Sequence, residues 1–144
     1  MLKFRYLNHT ADVEFIAYGS SLAIAVSNAL NALFDTTAYV KKLSRLEGRI
    51  VRARISIRAE NPEDLLWQSL QHALSIGDAR GVFFYNVLSP TVKEAGGKYL
   101  FKAVLLGKKA SPELSKLDVK GISRYNLSIR KSGKRLVADV VVDV

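Results

Sequence analysis

The stretch Val13-Glu14-Phe15-Ile16-Ala17-Tyr18-Gly19-Ser20-Ser21-Leu22-Ala23-Ile24-Ala25-Val26 holds a change of period. Residues 13–18 are rich in aromatic and aliphatic side chains and read as a strand. Gly19-Ser20 ends that strand and offers Ser20 as a helix N-cap. Beyond it Leu22, Val26, Ala29, Leu30, Leu33 and Phe34 recur at helical spacing, which predicts a first helix to about Asp35.

On the N-terminal side, residues 2–7 read as another strand, joined to the first stretch through the polar Asn8-His9-Thr10-Ala11-Asp12. On the other side, residues 36–48 read as a polar, basic connection. Arg52, Arg54, Ser56 and Arg58 then alternate with Val51, Ala53, Ile55 and Ile57, a strand with one wet, cationic face. Asn61-Pro62-Glu63-Asp64 is a strong helix start: a capping Asn, Pro at the first helical position and two acids for the dipole. Leu66, Leu70, Ala73 and Leu74 form its buried stripe, with Trp67 beside them and Gly77 as the expected C-cap. Residues 81–88 and 99–106 form a hairpin through Glu94-Ala95-Gly96-Gly97, and residues 119–129 and 136–144 a second through Arg130-Lys131-Ser132-Gly133-Lys134. The order β-β-α-β-α-β-β-β-β predicts a single α+β domain over residues 1–144, a sandwich of two helices packed on a mostly antiparallel sheet.

Composition excludes several chemistries. Nearly half the residues are hydrophobic and about a quarter charged, the profile of a soluble globular protein. No run approaches the roughly 20 apolar residues that span a bilayer. No membrane partner is expected, and a cytoplasmic location is the simplest inference. There is no cysteine, so disulfides, thiolate zinc sites and cysteine nucleophiles are absent. His9 and His72 are the only histidines, which rules out a three-histidine zinc site. There is no GxxxxGK[ST] or GxGxxG motif and no Ser/His/Asp hydrolase signature. The formal charge of +9 makes polyanions, RNA first among them, natural partners, though a solvated surface accounts for it equally.

The chemistry-bearing residues stand at the two ends of the chain. Asp12 precedes one strand, and Asp143 stands last but one in an apolar strand, followed by Val144 and its carboxylate. Drawn together, three anionic groups repel one another unless a cation or a bound base neutralises them. If the fold joins the ends, this is a hard-cation site. If it does not, these are two solvated strand ends. Oxygen donors favour calcium, magnesium or manganese, and calcium best tolerates an irregular set. Lys120 opens the strand Lys120-Gly121-Ile122-Ser123, where a lysine usually faces solvent. Held near the two aspartates it would neutralise them or contact a phosphate.

Tyr6-Leu7-Asn8-His9-Thr10-Ala11-Asp12-Val13, followed by a strand, Gly19 and an amphipathic helix, resembles the opening of the archease family. Glu63-Asp64-Leu65-Leu66-Trp67-Gln68-Ser69-Leu70 resembles the family's second helix, Asp118-Val119-Lys120-Gly121-Ile122-Ser123 its lysine strand, and Asp143-Val144 its C-terminus. The resemblance implies a non-catalytic accessory protein that activates an RtcB-type RNA ligase in tRNA splicing, promoting ligase guanylylation and multiple turnover. It implies a divalent metal, calcium ahead of magnesium or manganese, on Asp12, Asp143 and Val144, an essential role for Lys120, and a place for His9 beside the site. No residue is expected to be catalytic. The other reading is a basic RNA-binding or chaperone module acting on tRNA or on a tRNA methyltransferase. Two features depart from the family. Its strand commonly continues with Tyr-His where this chain has Arg124-Tyr125, and many members are acidic.

Overall fold

A computed structural model describes residues 2–7 and 12–144 of the chain. The elements are β1 (Phe4–Leu7), β2 (Val13–Gly19), α1 (Leu22–Thr37), α2 (Val40–Arg45), β3 (Val51–Ala59), α3 (Pro62–Arg80), β4 (Val82–Ala95), β5 (Lys98–Lys109), β6 (Gly121–Ile122), β7 (Ser128–Ser132) and β8 (Arg135–Asp143). A short 3₁₀ turn at Pro112–Leu114 lies in the link from β5 to β6. The fold is α+β, as expected, with the strands divided between two antiparallel sheets. One is five-stranded, in the order β1-β2-β8-β6 with β7 also on β8. The other is three-stranded, β3-β5-β4.

α1 and α3 touch strands of both sheets and each other, so they form a middle layer. This explains the composition of α1. A helix covered on one side would bury a single stripe, whereas α1 buries Ala25, Val26, Ala29, Leu30, Ala32, Leu33 and Phe34. One hydrophobic cluster joins Phe15, Ala17, Val140 and Val142 of one sheet to Ile55, Ile57, Phe101 and Leu105 of the other through these helices. Gly19 permits the entry to α1: a Cβ there would lie 2.2 Å from the Ala25 backbone nitrogen.

Several boundaries move from their sequence positions. Ser21, one residue past Ser20, caps α1 by accepting from the Ile24 N–H at 3.2 Å. α3 runs past Gly77 to Arg80, because Gly81 takes the left-handed conformation (φ 64°) and closes the helix. The connection over residues 36–48 contains α2, whose Leu43 is fully buried. β4 extends to Ala95 through two register shifts, one beside the positive-φ Ser89. The strand expected over residues 119–129 is replaced by the two-residue β6, a turn, and β7 from Ser128. Among the described residues no helix is long and apolar enough to cross a membrane.

Candidate functional site

β8 runs along the middle of the five-stranded sheet, and the candidate residues gather at its C-terminal end. Val13 pairs with Val142 in the β2–β8 ladder. Asp12 directly precedes Val13 and Asp143 directly follows Val142, so the two aspartates flank the last pair of this ladder. On the other side of β8, Gly121 pairs with Asp143, and the Lys120 N–H donates to the Asp143 carbonyl at 2.8 Å. Asp12, Lys120, Asp143 and Val144 therefore come to one end of one sheet. The Lys120 side chain and Asp143 are exposed, and Asp12 is half-buried. His9 lies outside the described residues.

The surroundings of the two aspartates differ. Asp12 borders an open cleft of about 380 Å³ with Tyr6, Leu7, Val13, Thr36, Lys116 and Leu117. Asp143 turns towards β6: a Cβ placed on Gly121 would lie 3.8 Å from Asp143 Oδ2 and 4.0 Å from Gln71 Oε1. Glycine at 121 leaves that space between β8 and α3 open.

α3 holds β6 in place. Trp67 Nε1 donates to the Ile122 carbonyl at 2.9 Å, and Gln71 Oε1 accepts from the Ile122 N–H at 3.4 Å. Residues 67 and 71 stand one helical turn apart on one face, so the two side chains satisfy both backbone groups of a single residue. Glu63, a further turn back, accepts from the Ile129 N–H at 3.2 Å. Arg124 stacks its guanidinium 3.7 Å from the centre of the Trp67 ring and reaches Asp64 at 3.6 Å. Trp67 is thus a half-buried bracket for the lysine segment. Sequence reasoning placed it beside the helix stripe and missed this use; Glu63, Trp67 and Gln71 at spacing four were the available signal. His72 is exposed, consistent with a surface residue.

Four residues before Asp143, on the same strand face, Asp139 faces Ile16 of β2. Burial pushes the Asp139 carboxyl up to about 6, helped by a hydrogen bond to and repulsion from Glu14 and opposed by Arg130. Its Oδ1 is buried without a hydrogen-bond partner among the described residues. This carboxyl pair lies next to the candidate site on the same outer sheet face.

Among the described residues no group of three His, Asp or Glu side chains has metal-ligand spacing. The donors at the sheet end are the side-chain carboxylates of Asp12 and Asp143. They are hard oxygen donors, and the described residues place no ion-paired cation on Asp12 or Asp143. This donor chemistry fits calcium or magnesium with water completing the shell, and does not suit zinc or copper.

The chain resembles known proteins over nearly its whole length. The model of the Archease protein family (MTH1598/TM1083) matches residues 4–144. The archease of Methanosarcina acetivorans is 30% identical over 99% of this chain and 96% of its own. That of Pyrococcus abyssi is 32% identical over 100% of both. Among solved structures, Methanobacterium thermoautotrophicum protein 1598 superposes with a TM-score of 0.81 at 23% identity, covering 99% of each chain. An archease from Thermotoga maritima, described as a possible chaperone, superposes with a TM-score of 0.58 at 17% identity, covering 96% of this chain and 94% of its own. The matched span takes in Asp12, the bracketed lysine segment and the end of β8, and the chain belongs to the archease family.

Proposed function

We propose that this protein is a non-catalytic activator of an RtcB-type tRNA-splicing RNA ligase, and that the end of the five-stranded sheet is the part it presents to the ligase. The observation that carries this reading, within an archease, is the meeting of Lys120 and Asp143 across the β6–β8 ladder. An exposed lysine and an exposed aspartate on joined segments suit a phosphate-bearing partner site better than a closed catalytic centre, which would bury its reacting groups.

In this reading Asp12, Asp143 and the Val144 carboxylate hold a divalent cation, calcium ahead of magnesium or manganese. When bound it supplies positive charge where nucleotide phosphates carry negative charge. Lys120 adds a second, movable cation. Trp67 and Gln71 hold the backbone of Ile122, two residues further on, so the segment that carries Lys120 does not rest on the two-residue strand alone. The action on the ligase is to promote its guanylylation and allow multiple turnover. His9, three residues before Asp12 in the sequence, is given a supporting part in this activation.

The test is a ligase assay following guanylylation and turnovers per ligase, with and without this protein. Asp12→Asn, Lys120→Ala and Asp143→Asn each lose at least tenfold of the activation while the melting temperature stays near that of the parent. Full activation by all three variants would overturn the assignment. Calcium stabilises the parent against heat and leaves Asp143→Asn unmoved, since a ligand at 100 times its Kd adds about 2.7 kcal/mol to the state it binds.

A further inference from the structure

The three-stranded sheet turns its outer face away from the helices. β3 buries Ala53, Ile55, Ile57 and Ala59 and exposes Arg52, Arg54, Ser56 and Arg58. The ladder register places Leu106, Val104, Lys102 and Leu100 of β5 beside those four, with Asn86, Leu88, Thr91 and Lys93 of β4 beyond. This face therefore carries five cations, Arg52, Arg54, Arg58, Lys93 and Lys102, over an aliphatic floor. None of its twelve positions holds an Asp, a Glu or an aromatic residue. Among the described residues none of the five cations has an ion-pair partner.

One end of the face is closed by α2. Lys108, on the same side of β5, is buried and donates its ammonium hydrogens to the carbonyls of Ser44 and Leu46 at the C-terminal end of α2. That contact lays the exposed Lys41, Lys42, Arg45 and Arg49 along the border of the sheet face, so the basic surface continues from helix to sheet.

We infer that the outer face of β3-β5-β4, with α2 as its border, docks the phosphodiester backbone of folded RNA. Alternate β3 residues lie roughly 6–7 Å apart along the strand, so the arginines form a row that a phosphate chain can follow. Each guanidinium can grip a phosphate with two parallel hydrogen bonds. A protein surface carries both signs of charge, and its basic groups would meet carboxylates only at the margin, at Glu47 and Glu60, whereas a polyphosphate carries one sign only. Phe83 and Tyr85 stand only at the Lys108 end of the face, so the arginine row itself offers no platform on which single-stranded bases stack. The face therefore holds phosphates and reads no sequence. The choice of RNA over DNA rests on the proposed ligase role; the phosphate docking itself does not.

The experiment uses the full chain without any ligase, so its failure is separate from failure of that role. Binding to a tRNA transcript is followed by fluorescence anisotropy across a salt series. The variant Arg52→Gln/Arg54→Gln/Arg58→Gln is set against Lys131→Gln/Lys134→Gln/Arg135→Gln, which removes the same charge from the β7–β8 hairpin. The β3 variant binds at least tenfold more weakly, with a shallower dependence of affinity on salt by up to about 0.9 for each phosphate no longer neutralised. The hairpin variant stays within about threefold of the parent. Acetylation of Lys93 and Lys102 slows when tRNA is bound and that of Lys131 does not, a readout that needs no variant to fold. Equal weakening by the two variants, or no binding at low salt, overturns the inference. So does tighter binding to polyglutamate or to duplex DNA than to tRNA, which would assign the face to an acidic protein or to DNA.

Discussion

The two sheets share one core and one pairing pattern but present opposite chemistry to water. The outer face of the five-stranded sheet mixes charges: Glu14 and Asp139 stand beside an apolar patch of Ile16, Tyr18 and Val137, with Arg135 stacked 4.1 Å from the Tyr18 ring centre. At the end of that sheet the aspartates collect. The twelve ladder positions on the outer face of the three-stranded sheet carry cations as their only charged residues, with Glu60 at the Arg58 end. In a chain of net charge +9, four of the thirteen acidic residues, Asp12, Glu14, Asp139 and Asp143, belong to the outer face of the five-stranded sheet and its end, so a local anionic site survives on a basic protein. The comparison teaches that net charge describes no single surface, since fields from exposed charges fade within about 8–10 Å at physiological salt.

The comparison rests on the sheets being one folding unit, and the largest effects test that. Phe15 and Phe101 are fully buried, one in each sheet, in the same cluster. Phe15→Ala and Phe101→Ala each cost about 3–5 kcal/mol. Denaturant unfolding followed by circular dichroism and by Trp67 fluorescence keeps coincident transitions in both variants. Separate transitions would break the picture of a shared core.

A smaller effect tests the bracket on β6. Trp67→Phe keeps an aromatic ring and removes the bond to the Ile122 carbonyl, costing about 1–2 kcal/mol. Amide exchange quickens at Lys120 and Ser123, whose N–H groups donate to β8, and stays unchanged in β3 and β5. Equal quickening in both sheets would show that Trp67 acts through the core instead.

Smaller still is the carboxyl pair. The folded-state value of Asp139, about 6, lies above its ordinary 3.8. The native state therefore holds that proton more tightly. The associated stability is complete below about pH 4 and is lost as the pH rises through 6. The loss is about 1 kcal/mol once solvent screening of a partly exposed group is allowed for. Asp139→Asn removes this slope and raises the melting temperature at pH 7–8. An unchanged slope between pH 4 and 6 would show that Asp139 is not the group that titrates there. The least effect belongs to Arg124→Gln, about 0.5 kcal/mol, because both its ring contact and its ion pair with Asp64 are exposed to water.

The legible parts of the fold were those governed by local period. The alternation in β3, the apolar repeat of α1 and the Asn61-Pro62 helix start act within a few residues, and each element formed where its pattern stood. The division into two sheets was not legible, because strand order depends on contacts between distant segments. Residues 119–129 show why a single long strand was expected: Val119, Ile122, Leu127 and Ile129 have strand-like composition. The pairing with β8 is instead interrupted at residues 124–127, which turn before β7 rejoins the same strand at Ser128, while a tryptophan and a glutamine from a helix some fifty residues earlier hold Ile122 from the other side. Sequence alone left open whether the chain ends meet; the β2–β8 ladder carries Val13 and Val142 into register, which brings Asp12 and Asp143 to the same sheet end.

The Trp67–Gln71 bracket also restricts how a partner can approach. An unpaired strand edge invites another chain to add itself as the next strand. Along β6 that invitation is withdrawn, since both outward-facing backbone groups of Ile122 are already engaged by α3. A partner reaching Lys120 and Asp143 gains nothing by sliding alongside the sheet. It must meet the strand ends head-on, as a key meets the face of a lock, so recognition there depends on side chains and charge, not on shared backbone hydrogen bonds.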